Sequence, residues 1–209
     1  MRTVVFIDAA NLFYGGRKSL GWSVDYQKLH AYLVRRYQAT HFYYFGGVDI
    51  HHFPFDYIAN HTVPIHNLER YLAEIIAEKT GTQDNENIAL LTRHHSRVRF
   101  YKKLESFGYT LILKPVKTHT DAEGNQLRKA NCDVDMTLYM ATEKDSLDRA
   151  IVLTGDGDFL PALKHLRKHG KEVLVLSRGS RTAREIRHFA GEHFTDFEYL
   201  RELLKQNEA

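Results

Sequence analysis

The sequence contains little cysteine and no long hydrophobic run. Its one cysteine, Cys132, cannot form a disulfide within the chain. None of the 209 residues lie in an apolar run of about 18, the length that a membrane helix needs. The apolar part of the first segment, MRTVVFIDAANLF, is too short for a secretory signal and is interrupted by Asp8. We therefore expect a cytoplasmic protein without a membrane segment.

The motifs of several common binding sites are also missing. The chain has 13 histidines but neither a His-Glu-x-x-His motif nor a cysteine pair, which argues against a zinc site. No Gly-x-Gly-x-x-Gly segment follows the first apolar run, so a dinucleotide-binding domain is not indicated. Neither sign of charge is in large excess. The net charge of +3 and the isoelectric point of about 8.8 allow nucleic-acid binding without requiring it.

The sequence does contain an alternation of strand and helix patterns. Short runs of β-branched and aromatic residues predict strands at residues 3–7, 41–49, 109–117, 149–155 and 171–177. Helical patterns fall at residues 25–38, 96–108, 133–146, 158–170, 182–194 and 196–206. This alternation predicts an α/β fold with a mostly parallel sheet covered on both faces. A length of 209 residues fits one domain.

Two stretches interrupt the alternation. Residues 50–92 form a long insertion that includes a polar loop, TGTQDNEN, at residues 80–87. Within it lies an apolar helical stripe made of Leu68, Tyr71, Leu72, Ile75 and Ile76. The stripe either pairs two subunits as a homodimer or packs within its own chain. Residues 118–128 predict an exposed turn or the tip of a hairpin.

Acidic residues stand at the ends of three predicted strands. Asp8 follows strand one, Asp133 and Asp135 begin the helix after strand three, and Asp156 and Asp158 follow strand four. Ligands of parallel sheets bind beyond the carboxyl ends of the strands, so the acids converge if strands one and four are neighbours. Two carboxylates 4 Å apart repel by about 4 kcal/mol at an effective dielectric near 20. A hard cation with oxygen ligands, Mg²⁺ or Mn²⁺, would compensate this repulsion.

Each of these polar side chains also has a structural explanation. Asp158 and Asp133 stand where helix N-caps are needed. Asp135 lies in a first helical turn, where the helix dipole favours an anion. Asn11 either caps the first helix or orients Asp8 with its amide. The two acids that end buried strands are the stronger ligand candidates, because an uncompensated charge is costly there.

Three segments carry a family resemblance: VFIDAANLF, CDVDM and LTGDGDFLPAL, in this order. In them the chain resembles an NYN domain of the LabA-like group, within the PIN-like nuclease superfamily, over roughly residues 1–50 and 93–197. The resemblance implies a PIN-like three-layer α/β/α sandwich and metal-dependent ribonuclease activity. It also implies a single NYN domain over residues 1–209, with an insertion at about 50–92, where family members usually have a shorter connection.

The resemblance assigns roles to individual residues. The acidic centre that it implies consists of Asp8, Asn11, Asp133, Asp135, Asp156 and Asp158. Lys129 precedes the DVD segment, as a lysine often does in this family, and would contact a phosphate. Thr154 stands where the family has Ser or Thr before its Gly-Asp, and would bond a carboxylate or a metal-bound water.

Basic and aromatic residues supply further candidates for RNA contacts. Arg178, Ser180 and Arg181 follow strand five at the edge where ligands bind, so they are candidates for phosphate contacts. The alternative is that these side chains belong to a solvent-exposed face and bind no phosphate. Three aromatic residues are candidates for stacking on unpaired bases: Phe13, Tyr14 and Trp22. The alternative is that these rings pack in the core or on the surface.

The sequence favours a metal-dependent ribonuclease acting on single-stranded or loop RNA. The catalytic residues would be Asp8, Asn11, Asp133 and Asp156. The ligands of Mg²⁺ or Mn²⁺ would be Asp8, Asp133 and Asp156, supported by Asp135 and Asp158. The alternative is a non-catalytic RNA-binding or regulatory module with a vestigial metal site. An aspartyl phosphatase is not indicated, because Ala10 stands where such enzymes need a second aspartate.

Overall fold

A six-stranded parallel sheet organises the chain. The computed structural model describes residues 1–15, 21–81, 84–120 and 126–206, with the backbone alone at 13–15, 119–120 and 126–129. The strands are β1 (Thr3–Asp8), β2 (Ala39–Val48), β3 (Thr110–Pro115), β4 (Lys117–Thr120), β5 (Gln126–Lys129), β6 (Arg149–Leu153), β7 (Glu172–Ser177) and β8 (Phe194–Asp196). The sheet has the order β3-β2-β1-β6-β7-β8, and its neighbouring strands run parallel. Strands β4 and β5 form a separate antiparallel hairpin.

Helices cover both faces of this sheet. They are α1 (Ala9–Gly15), α2 (Tyr26–Tyr37), α3 (Ile65–Lys79), α4 (Asn85–Ser106), α5 (Asp133–Glu143), α6 (Leu160–Lys168), α7 (Arg184–Ala190) and α8 (Arg201–Leu204). One core cluster packs Val5 and Ile7 of β1 against α2, α3 and α4. The other packs Val4 and Phe6 of β1 against α5, α6 and α7. Strand β1 is therefore buried on both sides, as central parallel strands are, and the expected three-layer sandwich is confirmed.

The five predicted strands are present, and the structure adds β8 at one edge. Strand β8 has three half-buried residues, which pair with residues 175–177 of β7. The sequence pattern predicted a helix through this segment, but α7 ends at Ala190 and Gly191 takes a φ of 56°. The helix predicted at 196–206 is a 3-10 helix (Phe197–Leu200) followed by α8. Three residues are too few to show the alternation that identifies a strand.

Helix α4 begins well before its predicted start. We expected a polar loop at residues 80–87 and a helix from residue 96, but α4 begins at Asn85, roughly three turns before residue 96. None of residues 84–90 is buried, and the buried positions of α4 begin at Leu91. A helix whose first turns face solvent carries no apolar stripe there, so the pattern indicated a loop.

The apolar stripe of residues 50–92 packs within its own chain. Leu68 and Leu72 of α3 are fully buried, and α3 packs against α4. The other stripe residues are partly buried against the same core cluster: Tyr71, Ile75 and Ile76. This packing removes the observation on which the predicted homodimer rested. None of the described helices, α3 included, is long and apolar enough to cross a membrane.

The residues just before α3 cover the outer edge of β3. The Leu113 N–H donates to the hydroxyl of Thr62 at 2.8 Å, and the Val63 N–H donates to the Leu113 carbonyl at 3.1 Å. An exposed edge strand invites pairing with other chains, and this segment occupies it instead. The long insertion is thereby fixed to the sheet on the side of β3.

Two local signals in the sequence are confirmed. Asp25 caps α2, because its carboxylate accepts hydrogen bonds from the N–H groups of Gln27 and Lys28 at 2.9 and 3.0 Å. The hairpin predicted at residues 118–128 is present as β4 and β5. Its tip, residues 121–125, lies outside the described part of the chain.

We expect Leu68→Ala to lower the free energy of unfolding by about 2–5 kcal/mol, because a buried leucine loses its contacts and leaves a cavity. Urea denaturation followed by circular dichroism would measure the change. Leu138→Ala is the matched control, since Leu138 lies on helix α5 and is 57% exposed. The control should change stability by no more than about 0.5 kcal/mol. Equal losses in the two variants would contradict the packing of α3 in this core.

Candidate functional site

The order of the strands reverses between β1 and β6. Strands β2 and β3 extend the sheet on one side of β1, whereas β6, β7 and β8 extend it on the other. Parallel sheets of this kind bind ligands in the crevice beyond the carboxyl ends of the two strands at the reversal. Strand β1 ends with Asp8, and Thr154 directly follows β6. The predicted strands one and four are therefore neighbours, as convergence of the acids requires.

Asp8 is a buried carboxylate with defined hydrogen-bond partners. The residue is 8% exposed. Its Oδ1 accepts a bond from the Asn11 N–H at 3.2 Å, and its Oδ2 accepts one from the Thr154 hydroxyl at 2.9 Å. The first bond is that of a helix N-cap, so Asp8 rather than Asn11 caps α1. Thr154 is fully buried, and this bond satisfies its hydroxyl.

A negative charge on Asp8 is disfavoured. Burial raises the pKa of Asp8, and the charge of Asp133 raises it further. The hydrogen bonds from Asn11, Thr154 and Ala10 lower this pKa without cancelling the rise. Among the side chains that the structure describes, no positively charged one forms an ion pair with Asp8. A cation between Asp8 and Asp133 would stabilise both charges.

The segment after β6 is hydrogen-bonded to the Asp8 carboxylate through Thr154. The Thr154 hydroxyl oxygen accepts a bond from the Asp156 N–H at 3.2 Å, so one hydroxyl joins Asp8 to this segment. The Oδ1 of Asp156 accepts the Asp158 N–H at 3.0 Å and caps a single 3-10 turn. The predicted N-cap role of Asp158 is therefore wrong, because Asp156 is the cap and α6 starts after this turn without a side-chain cap. Asp158 is exposed.

Asp133 and Asp135 lie in the first turn of α5. Cys132 occupies the N-cap position without a side-chain cap bond, so Asp133 is the first helical residue rather than the cap. Asp135 forms an ion pair with Lys114 of β3, with 2.5 Å between Nζ and Oδ2. The lysine joins the edge of the sheet to α5 and neutralises one of the predicted metal ligands.

A close approach of two backbone segments positions α5. A side chain at Gly47 of β2 would place its Cβ 2.6 Å from the Cβ of Ala130, just before α5. The absence of a Cβ at Gly47 therefore lets this segment lie directly on β2. The Gly47 carbonyl accepts a bond from the hydroxyl of buried Tyr101 at 2.6 Å, which holds this part of β2 in place.

Cys132 lies among the carboxylates. Burial raises the pKa of its thiol to about 12. The charges of Asp135, Asp133 and Asp8 raise this pKa as well, whereas Lys114 lowers it. The thiol is therefore neutral at physiological pH and unsuited to act as a nucleophile.

The predicted acidic centre is compact only in part. Asp8 and Asp133 act on each other, but Asp135 is paired with Lys114 and Asp156 accepts a backbone N–H. Over residues 1–15, 21–81, 84–120 and 126–206, no group of three or more His, Cys, Asp or Glu side chains is arranged to hold a metal ion. Two carboxylates nevertheless fit Mg²⁺, which proteins commonly bind through one or two carboxylates, waters and substrate phosphates.

The predicted phosphate contacts lie beyond β7. Arg178 is half-buried and precedes a single 3-10 turn that contains the exposed residues Ser180 and Arg181. The next segment is bound to the loop after β6, because the Ala183 N–H donates to the Gly155 carbonyl at 2.8 Å. These three residues therefore border the crevice on the β7 side.

Four further RNA candidates have different outcomes. Trp22 is 7% exposed and packs in the core, so it is not available for stacking on bases. The side chains of Phe13 and Tyr14 lie outside the described part of the chain. Lys129 ends β5, opposite Lys117 of β4, and its side chain is also outside the described part.

Four polar residues at this edge of the sheet were not predicted: Lys114, Ser177, Glu185 and Asp196. The Ser177 hydroxyl lies 3.5 Å from Oδ1 of Asn11. Glu185 lies against Gly157, where a Cβ would collide with its carboxylate. Asp196 ends β8 and accepts the Glu198 N–H at 3.0 Å. Positions at or near the ends of strands were the available signal for Lys114, Ser177 and Asp196, and for Asp196 that signal required knowledge of β8, whereas Glu185 lies in the first turn of α7.

Comparisons with known proteins identify the family. The family model for the NYN domain matches residues 72–200. The Low amplitude and bright protein LabA of Synechococcus elongatus is 25% identical over 209 residues, covering 99% of this chain and 89% of that protein. A protein of unknown function from Vibrio parahaemolyticus, known from its crystal structure, has the same fold. Its TM-score is 0.54 at 16% identity, over 90% of this chain and 87% of that one. Because the family model matches more than half of the chain, the protein belongs to the NYN domain family, which is related to the PIN-like nucleases.

Proposed function

We propose that this protein is a metal-dependent ribonuclease that hydrolyses phosphodiester bonds of single-stranded or loop RNA. It acts as one NYN domain over residues 1–209, with residues 50–92 as an insertion. The single cysteine is consistent with work in the reducing cytoplasm. The family membership supports a nuclease in general terms, and the residues of the crevice support the finer proposal.

The observation that carries the proposal is the buried carboxylate of Asp8. Burial and the neighbouring Asp133 both disfavour its charge, and the hydrogen bonds from Asn11 and Thr154 do not restore it. Natural proteins retain such a cost at functional sites, where a ligand compensates it. A divalent cation, which carboxylates and a substrate phosphate would hold together, is the ligand that this chemistry suits.

The proposal gives each residue a task. Asp8, Asp133 and Asp156 would hold Mg²⁺ or Mn²⁺, with Asp135 and Asp158 supporting them. When bound, the cation would neutralise charge on the phosphodiester and make a water molecule more acidic. Thr154 orients the Asp8 carboxylate through its hydroxyl.

Other residues would position the RNA. The Asn11 amide oxygen, 3.5 Å from the Ser177 hydroxyl, would orient the attacking water against the phosphate. Positive side chains and one hydroxyl near the crevice would bind the backbone phosphates that flank the cleaved bond. The residues proposed for this task are Lys129, Arg178, Ser180 and Arg181.

A second candidate is a non-catalytic RNA-binding or regulatory module. It is favoured by the ion pair between Asp135 and Lys114, and by the absence of a three-carboxylate group among the described residues. In such a module the remaining acids would serve as caps, as Asp8 and Asp156 already do. RNA binding without turnover is the property that separates this candidate from the ribonuclease.

We expect the wild-type protein to cleave a labelled single-stranded RNA in Mg²⁺ or Mn²⁺, and not in EDTA. Asp8→Asn and Asp133→Asn should each lower the rate constant by at least about 100-fold, because each removes a carboxylate that would hold the cation whose positive charge stabilises the transition state. Product formation on denaturing gels would measure the rate constants.

Asp145→Asn is the matched control for this experiment. It makes the same chemical change at an acid that is 81% exposed and paired with Lys144, near the amino end of β6. The control should cleave at the wild-type rate. Full activity in Asp8→Asn would contradict the ribonuclease mechanism, and RNA binding by a wild type that never cleaves would favour the second candidate.

We expect Asp8→Asn to stabilise the metal-free protein at pH 7. Because the folded state raises the pKa of Asp8, the folded protein holds this proton more tightly than the unfolded chain does. The stability contributed by Asp8 is therefore complete at low pH and is lost as the pH rises through the folded-state pKa. Asn removes that loss, and the gain should be on the order of 1 kcal/mol, or about 2–4 °C in Tm.

The gain from Asp8→Asn should shrink as the pH falls towards about 4, the ordinary pKa of an aspartate. Thermal melts of both proteins in EDTA from pH 4 to pH 8 would measure it. Asp145→Asn again serves as the control. A variant that is less stable than the wild type at pH 7 would show that Asp8 acts chiefly as a helix cap.

A further inference from the structure

A cavity lies beside the acidic residues, at the β3 edge of the sheet. Its volume is about 440 Å³, within the roughly 300–1,000 Å³ of small-ligand pockets. One wall comes from the insertion and includes Phe55, Tyr57 and Asn60. The opposite wall comes from the end of β3 and the segment before α5, and includes Lys114 and Asn131. Nothing in the proposed catalytic chemistry uses the insertion wall.

The insertion wall is fixed in place before any ligand binds. The carboxylate of Asp56 accepts hydrogen bonds from the N–H groups of Ile58 and Ala59 at 2.8 and 3.2 Å. The Asn60 amide donates to the Asp56 carbonyl at 2.9 Å. These bonds close a turn around Tyr57, and the next residues, 62 and 63, are bonded to β3. A fixed turn loses little conformational freedom when a ligand binds.

The chemistry of the cavity suits an unpaired nucleotide. Tyr57 is 55% exposed, and its ring meets Phe55 edge to face with 5.2 Å between centroids. The ammonium group of Lys117 lies 5.6 Å from the centre of the Tyr57 ring. Aromatic faces stack on bases of any sequence, and lysines beside them bind backbone phosphates. The exposed aromatic ring and the adjacent positive charges are therefore complementary to single-stranded nucleic acid.

Lys114 connects this cavity to the acidic residues. It lines the cavity, forms the ion pair with Asp135, and lies 3.5 Å from the Asn131 carbonyl. Asn131 also lines the cavity and stands two positions before Asp133 in the chain. A strand of RNA with one base in the cavity would thus have its adjoining phosphate next to the first turn of α5.

We propose that this cavity binds an unpaired nucleotide of single-stranded RNA, with its base stacked on Tyr57 and its phosphate beside Lys114 and Lys117. The inference deepens the proposed ribonuclease function, on which its choice of RNA rests, by assigning a subsite next to the scissile bond. It gives the insertion a role in holding the substrate. It also replaces the buried Trp22 as the aromatic contact.

The test measures binding in EDTA, where no metal-dependent cleavage occurs. A short single-stranded RNA that carries one 2-aminopurine reports stacking by fluorescence quenching, and its anisotropy reports the dissociation constant. The variants are Tyr57→Ala, Tyr57→Phe and Lys117→Gln. Tyr199→Ala is the matched control, because Tyr199 is 86% exposed and follows β8 at the opposite edge of the sheet.

We expect Tyr57→Ala to abolish the quenching and to weaken binding about 5- to 150-fold, the range for loss of one base–aromatic stack. Tyr57→Phe should retain both the quenching and the affinity of the wild type, since it retains the aromatic ring. Lys117→Gln should lower the slope of log K against log salt by about 0.7, the value for one phosphate contact on a single strand. The Tyr199→Ala control should bind as the wild type does.

Three results would overturn the inference. The first is unchanged affinity and quenching in Tyr57→Ala. The second is no binding of the RNA by the wild type. The third is displacement of the RNA by an equal concentration of a mononucleotide, which would assign the cavity to free nucleotides.

The subsite and the catalytic centre can fail separately. Tyr57-dependent quenching in a protein that never cleaves RNA would leave the subsite standing and remove the ribonuclease. Metal-dependent cleavage with the same kcat/KM in Tyr57→Ala as in the wild type would support the ribonuclease and remove the subsite. Asp8→Asn should retain Tyr57-dependent quenching, because the cavity does not include Asp8.

Discussion

The burial of Asp8 where the strand order reverses is the constraint on which the rest of the site depends. A carboxylate in this position needs partners, and the chain supplies the N–H of the helix that follows it and a buried threonine from the neighbouring strand. The bond to Thr154 exists only because β1 and β6 are adjacent, so this polar contact depends on the point where the strand order reverses. The same threonine holds the backbone of Asp156. These bonds do not remove the cost of the charge, and that remaining cost is what a bound cation would offset.

The position of the first turn of α5, which carries Asp133 and Asp135, depends first on a close backbone contact rather than on charge. The segment before α5 lies against Gly47, and Lys114 then fixes the first turn of α5 to β3 by pairing with Asp135. The segment before α5 and the first turn of α5 are thus held by two contacts, one with β2 and one with β3. The ion pair with Lys114 neutralises Asp135, whereas the charge of Asp133 adds to the cost of the charge on Asp8. The aspartates that the sequence motifs identified therefore differ in the charge that each could offer to a cation.

Much of the fold could be predicted, since central parallel strands are buried on both faces and appear as uninterrupted apolar runs. The convergence of Asp8 with the segment of Asp156 was predicted from strand ends on the condition that the two strands are neighbours, and the structure meets that condition. What could not be predicted depends on tertiary contacts. The solvent-facing turns of α4 carry no stripe, and β8 is too short for a pattern. Which of two aspartates caps a turn depends on where the turn begins, and a 3-10 turn before α6 moved that role from Asp158 to Asp156.

The cavity at the β3 edge could not be predicted from the sequence, because it too depends on tertiary contacts. Phe55 and Tyr57 lie in an irregular segment, where no periodicity separates an exposed ring from a buried one.

A polyanion that approaches a group of carboxylates is repelled, and a net charge of +3 on the whole chain does little to overcome this repulsion locally. Lys114 and Lys117 line the cavity, so they would counter the acids within reach of the same strand of RNA. In this arrangement the insertion brings the aromatic surface, β3 and β4 bring the positive charge, and β1 and α5 bring the negative charge. The substrate would then be held mainly by contacts outside the acidic group, which leaves the carboxylates to the cation.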